Sequence, residues 1–212
     1  MADISLKEEA ILAAAMDVFI EKGRHGATMQ EIADRAGINK AMLHYYFRSK
    51  ENIYGRIFES VFLKLMNSLI ISLDEGLDFK THLRMLINKF HDTILNNPRL
   101  PLFIARELSE GGATVSSIVS RLIQENKIEG PPRIIASIRR AVEQEEIAFV
   151  GDPLQLMMTI IGSCIYFFVA EPIFRALFPT ESGYNRDQFI EERKEAIFHT
   201  IYFGIKPRGE TV

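Results

Sequence analysis

Apolar residues recur at helical spacing from one end of this chain to the other, and no stretch alternates convincingly with the period of two that a half-buried strand requires. Leu12, Ala15, Met16 and Phe19 form one stripe over residues 5–22, and Gly23 stops it. Two short helices are predicted next, Thr28 to Ala36 and Asn39 to Phe47, joined at Gly37. A long, nearly all-round apolar helix runs from Ser49 to Leu73, the pattern of an element buried on most sides. Further helices are predicted over 78–96, 99–109, 114–127, 132–146, 153–177 and 186–204. Asn96-Asn97-Pro98, Gly111-Gly112, Gly130-Pro131-Pro132, Gly151-Asp152-Pro153 and the stretch from Pro179 to Gly183 supply the breaks, and the tail from Lys206 is polar. The fold class is therefore all-α, with nine or ten helices.

Cap and turn chemistry makes residues 27–53 the most informative segment. Thr28 and Glu31 form a capping-box pair, in which the hydroxyl takes the N3 amide and the carboxylate reaches back to the cap amide. Gly37 occupies the helix end where the left-handed conformation is needed. Asn39 is an N-cap for the next helix, and Ser49, with Glu51 in the first turn, caps the one after that. Met42, Leu43, Tyr46 and Phe47 share a buried face, which leaves Lys40, Ala41, His44 and Tyr45 on the opposite side. This is the outline of a helix-turn-helix DNA reader.

Charge sharpens that reading. The whole chain is slightly acidic, with a formal net charge of −3, so global electrostatics do not point to nucleic acid. Between Arg35 and Arg56, however, the cations Arg35, Lys40, Arg48, Lys50 and Arg56 face Glu51 alone. A local basic patch on an acidic body orients a protein on a phosphate backbone. The bland alternative is a solvated helix face.

Composition excludes several other classes. The hydrophobic content of 47% is ample for a core, and the single cysteine, Cys164, rules out an intramolecular disulfide and suits a reducing cytosol. The N-terminal residues lack the basic-then-apolar layout of a signal peptide. Pro153 to Ala170 is uncharged and about as long as the shortest spanning helix, but it has no basic flank, and Glu171, Pro172 and Arg175 follow at once. A buried or interface helix is the better reading, with no membrane partner and a cytoplasmic location.

Enzyme chemistry is not expected. Cys164 lies in an apolar run without a neighbouring cation to activate it. The histidines 25, 44, 82, 91 and 199 lack metal spacing, and no glycine-rich phosphate loop occurs, so neither metal nor cofactor is expected.

The run Phe19, Gly23, Thr28, Ile32, Ala33, Ala36, Gly37, Lys40, Leu43, Tyr46, Phe47, Ser49, Lys50 and Glu51 resembles the TetR family of bacterial transcriptional regulators. The resemblance covers about a quarter of the chain. Two positions depart from it. Arg24 stands where an aromatic commonly follows the glycine, and His44 stands where a tyrosine commonly precedes the Tyr/His-Phe pair.

The resemblance implies a helix-turn-helix domain over 1–48 and a larger helical effector-binding and dimerisation domain over 49–212. It further implies a homodimer on a palindromic operator near a promoter, repressing transcription until a small molecule releases it. The DNA-contact candidates are Thr28, Gln30, Asn39, Lys40, Ala41, His44, Tyr45 and Lys50. Lys40, Lys50 and Tyr45 suit phosphates. His44 suits a guanine or thymine acceptor, or a phosphate. For Thr28 and Asn39, capping alone is a sufficient role.

Met66, Met85, Phe103, Met157, Cys164 and Phe168 are candidate lining for an adaptable apolar or aromatic effector pocket, with ordinary core as the default for each. His82, His91, Arg106 and Glu107 are candidate polar anchors, with surface as the default. Ile190, Ile197, Phe198, Ile201 and Tyr202 are expected at the dimer interface, against an intramolecular core. The rival function is a ligand-binding or adaptor protein of the same fold that no longer binds DNA.

Overall fold

The computed structural model describes residues 2–70, 76–125, 127, 130–177 and 185–207. These residues form ten helices and no strand: α1 (Ala2–Gly26), α2 (Met29–Ala36), α3 (Lys40–Phe47), α4 (Lys50–Ile70), α5 (Phe79–Leu95), α6 (Leu100–Ser109), α7 (Ala113–Gln124), α8 (Gly130–Glu143), α9 (Pro153–Leu177) and α10 (Arg186–Ile205). The expected helix ends at 71–73 and 126, the break from Pro179 to Gly183 and the end of the polar tail lie outside the described residues.

The chain divides into two compact units, and the division does not follow a single cut. Unit 1 comprises Met1–Lys64 and Arg99–Lys127, while unit 2 comprises Leu65–Pro98 and Ile128–Val212. The helices α6 and α7 thus belong with the N-terminal helices, and α6 packs on α1.

Unit 1 is built around an aromatic cluster. The Tyr54 ring meets Phe19 edge-on at 4.9 Å and Phe103 at 5.0 Å, and Phe58 lies 6.3 Å from Phe103. All four are buried, so α1, α4 and α6 are held by the same side chains. Beside them the buried Glu107 accepts the Thr114 amide at 2.9 Å and so closes the first turn of α7. Burial, and then the Glu107 carboxylate, raise the Tyr54 phenol, which stays protonated.

The regular helix of α1 stops at Gly23, as its sequence suggests, and a short helical stretch follows to Gly26. The chain kinks there, with Gly23 at φ +74° and ψ 168°, a region that only glycine enters cheaply. The Nη1 of Arg106 donates to the Ile20 carbonyl at 2.7 Å, and Nη2 lies 2.7 Å from where a β-carbon on Gly23 would sit. Bend and guanidinium therefore fit one another.

Unit 2 packs α10 against α5 and α9, with α8 on α5 and α9. Its core includes Leu83, Ile87 and Phe90 of α5 and Ile160, Cys164 and Phe167 of α9. The Arg84 guanidinium lies 3.9 Å over the Phe198 ring while pairing with Glu195.

Gly23→Ala would force a β-carbon into the glycine-only region. The expected cost is about 1–3 kcal/mol of unfolding free energy, measured by urea titration. A loss under about 0.5 kcal/mol would mean that the kink is not a constraint.

Candidate nucleic-acid interface

The two short helices are fixed by chemistry at their ends. Thr28 Oγ1 accepts the Glu31 amide at 3.2 Å, and Glu31 Oε2 accepts the Thr28 amide at 3.0 Å. The ion pair from Lys22 and then the Thr28 bonds hold the Glu31 carboxyl below its usual range, so the cap keeps its charge. Gly37 closes α2 at φ +66°, and the Ile38 amide reaches back to the Ala33 carbonyl at 3.0 Å. Asn39 Oδ1 accepts the Met42 amide at 2.7 Å, so Asn39 is spent as the N-cap of α3. Ser49 Oγ does the same for the Asn52 amide at 3.2 Å.

Leu43 and Phe47 are buried and seat α3, whose main partner is α2. Met42, expected on that face, is 37% exposed, because the buried stripe of this eight-residue helix is only two side chains wide. The outer face is open. Lys40, Ala41, His44 and Tyr45 are all exposed, Tyr45 at 83%. Thr28 and Gln30 are exposed on α2, where Gln30 Nε2 donates to Asp34 at 2.8 Å.

The basic patch is less free than its sequence suggests. Arg35 makes a two-pronged ion pair with Glu21 at 2.8 and 3.0 Å, and Arg56 pairs with Glu8 at 2.9 Å. Lys50 is half-buried, and its ammonium donates to the carbonyls of His25 at 3.1 Å and Ala27 at 2.9 Å. It ties the end of α1 to the start of α4 and retains one proton for a phosphate. Lys40 and Arg48 are exposed and make no ion pair among the described residues. Arg48 was recognisable as a cation but not as a contact residue. It ends α3 at φ +64°, a strained setting for a non-glycine residue.

The expected pocket residues do not all share one unit or one degree of burial. Met85 is 38% exposed and lines no interior. Phe103 belongs to the aromatic cluster of unit 1. Met66, Met157, Cys164 and Phe168 are buried in unit 2. The larger cleft described in unit 1, about 640 Å³, is lined by charged side chains including Arg48, Glu51 and Arg121 and touches none of the six. Of the candidate polar anchors, His82, His91 and Glu107 are buried rather than on the surface. His91 Nδ1 donates to the Ile87 carbonyl at 2.8 Å, while its Nε2 is enclosed without a partner among the described residues.

The residues expected at the dimer interface lie mostly inside unit 2. Ile190, Ile197, Phe198 and Ile201 are buried within unit 2 and have no surface to offer, and Tyr202 is half-buried, stacked on Phe198 at 5.5 Å. What α9 exposes instead is Leu154, Met158, Gly162, Tyr166, Val169, Ile173 and Leu177, one stripe at three- and four-residue steps. α10 exposes His199 stacked on Phe203 at 5.0 Å. By length and composition α9 could cross a membrane, and less than half of its apolar window is buried.

Comparison with known proteins places the interface in context. Residues 11–57 match the family model described as bacterial regulatory proteins, tetR family. The HTH-type transcriptional activator FasR of Mycolicibacterium smegmatis is 31% identical over 133 residues, covering 63% of this chain and 52% of that protein. The HTH-type transcriptional regulator RutR of Escherichia coli K12 is 43% identical over 58 residues, 27% of each chain. This chain therefore spans about half the length of the first and about a quarter of the second. A solved TetR family transcription regulator from Marinobacter aquaeolei VT8 superimposes with a TM-score of 0.70 at 20% identity, covering 98% of this chain and 100% of that one. That last likeness is one of fold.

Burial pushes the Cys164 thiol up to about 12. A thiol reagent at neutral or mildly alkaline pH is expected to label Cys164 only as fast as the protein unfolds. Fast labelling of folded protein would mean that a solvent-filled pocket reaches this side chain.

Proposed function

We propose that this chain, which belongs to the tetR family of bacterial regulatory proteins by its N-terminal domain, is a DNA-binding transcriptional regulator that occupies a palindromic operator as a homodimer. Where that operator overlies a promoter, the bound dimer blocks transcription. The observation that carries the reading is α3: its apolar side is buried, and Lys40, Ala41, His44 and Tyr45 stand free on the other. An α-helix exposed in this way fits the major groove and leaves amide and ammonium donors for the flanking phosphates. Reading is assigned to residues 1–48, and effector binding and dimerisation to residues 49–212.

A second copy of the chain is the occupant we assign to the exposed stripe of α9 and the His199–Phe203 pair of α10. A two-fold axis through α9 would set Tyr166, Val169 and Ile173 against their own copies around Gly162, an arrangement that suits a closed dimer and a palindrome alike. It also offers α9 an alternative to a membrane, in keeping with a cytoplasmic protein that meets chromosomal DNA. The effector is a small apolar or aromatic molecule entering unit 2 beside Met157, Cys164 and Phe168, with His91 Nε2 as an enclosed acceptor that it can satisfy.

Lys40, Arg48 and the remaining proton of Lys50 in each protomer reach about six phosphates, so the log–log slope of affinity against salt should be roughly −5. Titration by fluorescence anisotropy measures it. A flat dependence, or no binding by a folded dimer, would favour an adaptor that has lost DNA recognition. Ile173→Glu should raise the dimer dissociation constant about a hundredfold by burying a charge at the axis. Sedimentation that remains dimeric at all concentrations would move the interface elsewhere.

A further inference from the structure

His44 stands on the open side of α3, and the structure fixes the hydrogen-bond role of one of its ring nitrogens. Nδ1 lies 3.0 Å from the Arg48 carbonyl oxygen. A carbonyl only accepts, so Nδ1 carries the proton and donates. The Arg48 amide in turn donates to the His44 carbonyl at 2.9 Å, and Arg48 sits at φ +64°, the turn that aims its carbonyl back at the ring. Ring and carbonyl thus lock one another at the end of the reading helix. The residue is exposed, and its other nitrogen, Nε2, makes no hydrogen bond among the described residues. On the neutral imidazole it carries a lone pair and no proton.

Resting on the DNA-reading role given above, we infer that His44 is a specificity-determining residue that reads an amino group on a base edge, the N6 of adenine or the N4 of cytosine. This reverses the polarity expected from the sequence, where His44 suits a guanine or thymine acceptor, or a phosphate. The major groove makes the distinction legible. At the central positions of the base-pair edge, adenine and cytosine present a donor where guanine and thymine present a carbonyl acceptor. An acceptor at Nε2 meets the first pair with a hydrogen bond and the second with lone-pair repulsion. Tyr45, the neighbouring exposed side chain, carries a hydroxyl that both donates and accepts and so has no such polarity. Lys40 has donors only and suits phosphate.

The test is selection of duplexes by the full-length protein from a randomised library, followed by affinity measurements with each base placed symmetrically in both half-sites. Wild type is expected to show one position where adenine or cytosine is preferred over guanine and thymine by about tenfold per half-site. His44→Ala should level the four bases there, and His44→Lys, which replaces an acceptor with a donor, should turn the preference to guanine or thymine. A measurement that leaves the protein unaltered covers a folding defect in either variant. Purine in place of adenine, or 2-pyrimidinone in place of cytosine, removes only the amino group and should cost wild type the same factor. The inference is overturned if wild type prefers a keto base at the position that His44→Ala relaxes. It is equally overturned if that variant, or the amino deletion, leaves every preference intact. Lys40→Ala separates the two levels of the argument. If it weakens all duplexes alike while His44→Ala changes no preference, DNA reading stands and the role of His44 falls. If wild type selects no duplex, both fall.

Discussion

An eight-residue helix is too short to persist in water unaided, so the existence of α3 depends on the burial of Leu43 and Phe47 and on its two ends being closed. That single constraint orients everything proposed for the protein. With those two side chains inward, Lys40, His44 and Tyr45 have only the outside to occupy. With Asn39 spent on the Met42 amide and His44 on the Arg48 carbonyl, both ends are satisfied inside the protein. The proposed reading face is therefore preorganised before any duplex arrives, which would lower the ordering cost of binding.

The supporting elements extend the same logic. α2 is capped reciprocally by Thr28 and Glu31, and Lys50 fastens the end of α1 to the start of α4 through two carbonyls. Arg106 fills the bend at Gly23 from α6. Cations that read as a phosphate-binding patch are thus partly structural: Arg35 and Arg56 neutralise Glu21 and Glu8, which leaves a smaller basic surface around Lys40 and Arg48 for the proposed contact with DNA.

How far this was legible follows from the range of each interaction. Caps and the Gly37 turn operate over three or four residues, so Thr28, Glu31, Asn39 and Ser49 could be assigned from sequence, and each performs the expected bond. The pairings of Arg35 with Glu21 and Arg56 with Glu8 span 14 and 48 residues, beyond what spacing reveals. The burial of the expected interface residues escapes the sequence for a different reason. On α10 an apolar stripe looks the same whether it meets its own core or a partner, and Ile190, Ile197 and Ile201 turned inward. α9 is apolar on every side, so periodicity gave no face. Only the packing of Cys164 and Phe167 inward identifies the opposite stripe through Met158 and Ile173 as open. Met85 is exposed and Phe103 lies in the core of unit 1, which softness and aromaticity could not indicate, since they describe a side chain and not where its helix lies.

Amide hydrogen exchange of the dimer, with and without the duplex lying upstream of its own gene, tests the central claim most directly. New protection confined to the Gly37 turn and to α3 from Lys40 to Tyr45, with the α9 stripe unchanged, is the predicted result. Duplex-dependent protection elsewhere, with α3 exchanging as in the free protein, would contradict it.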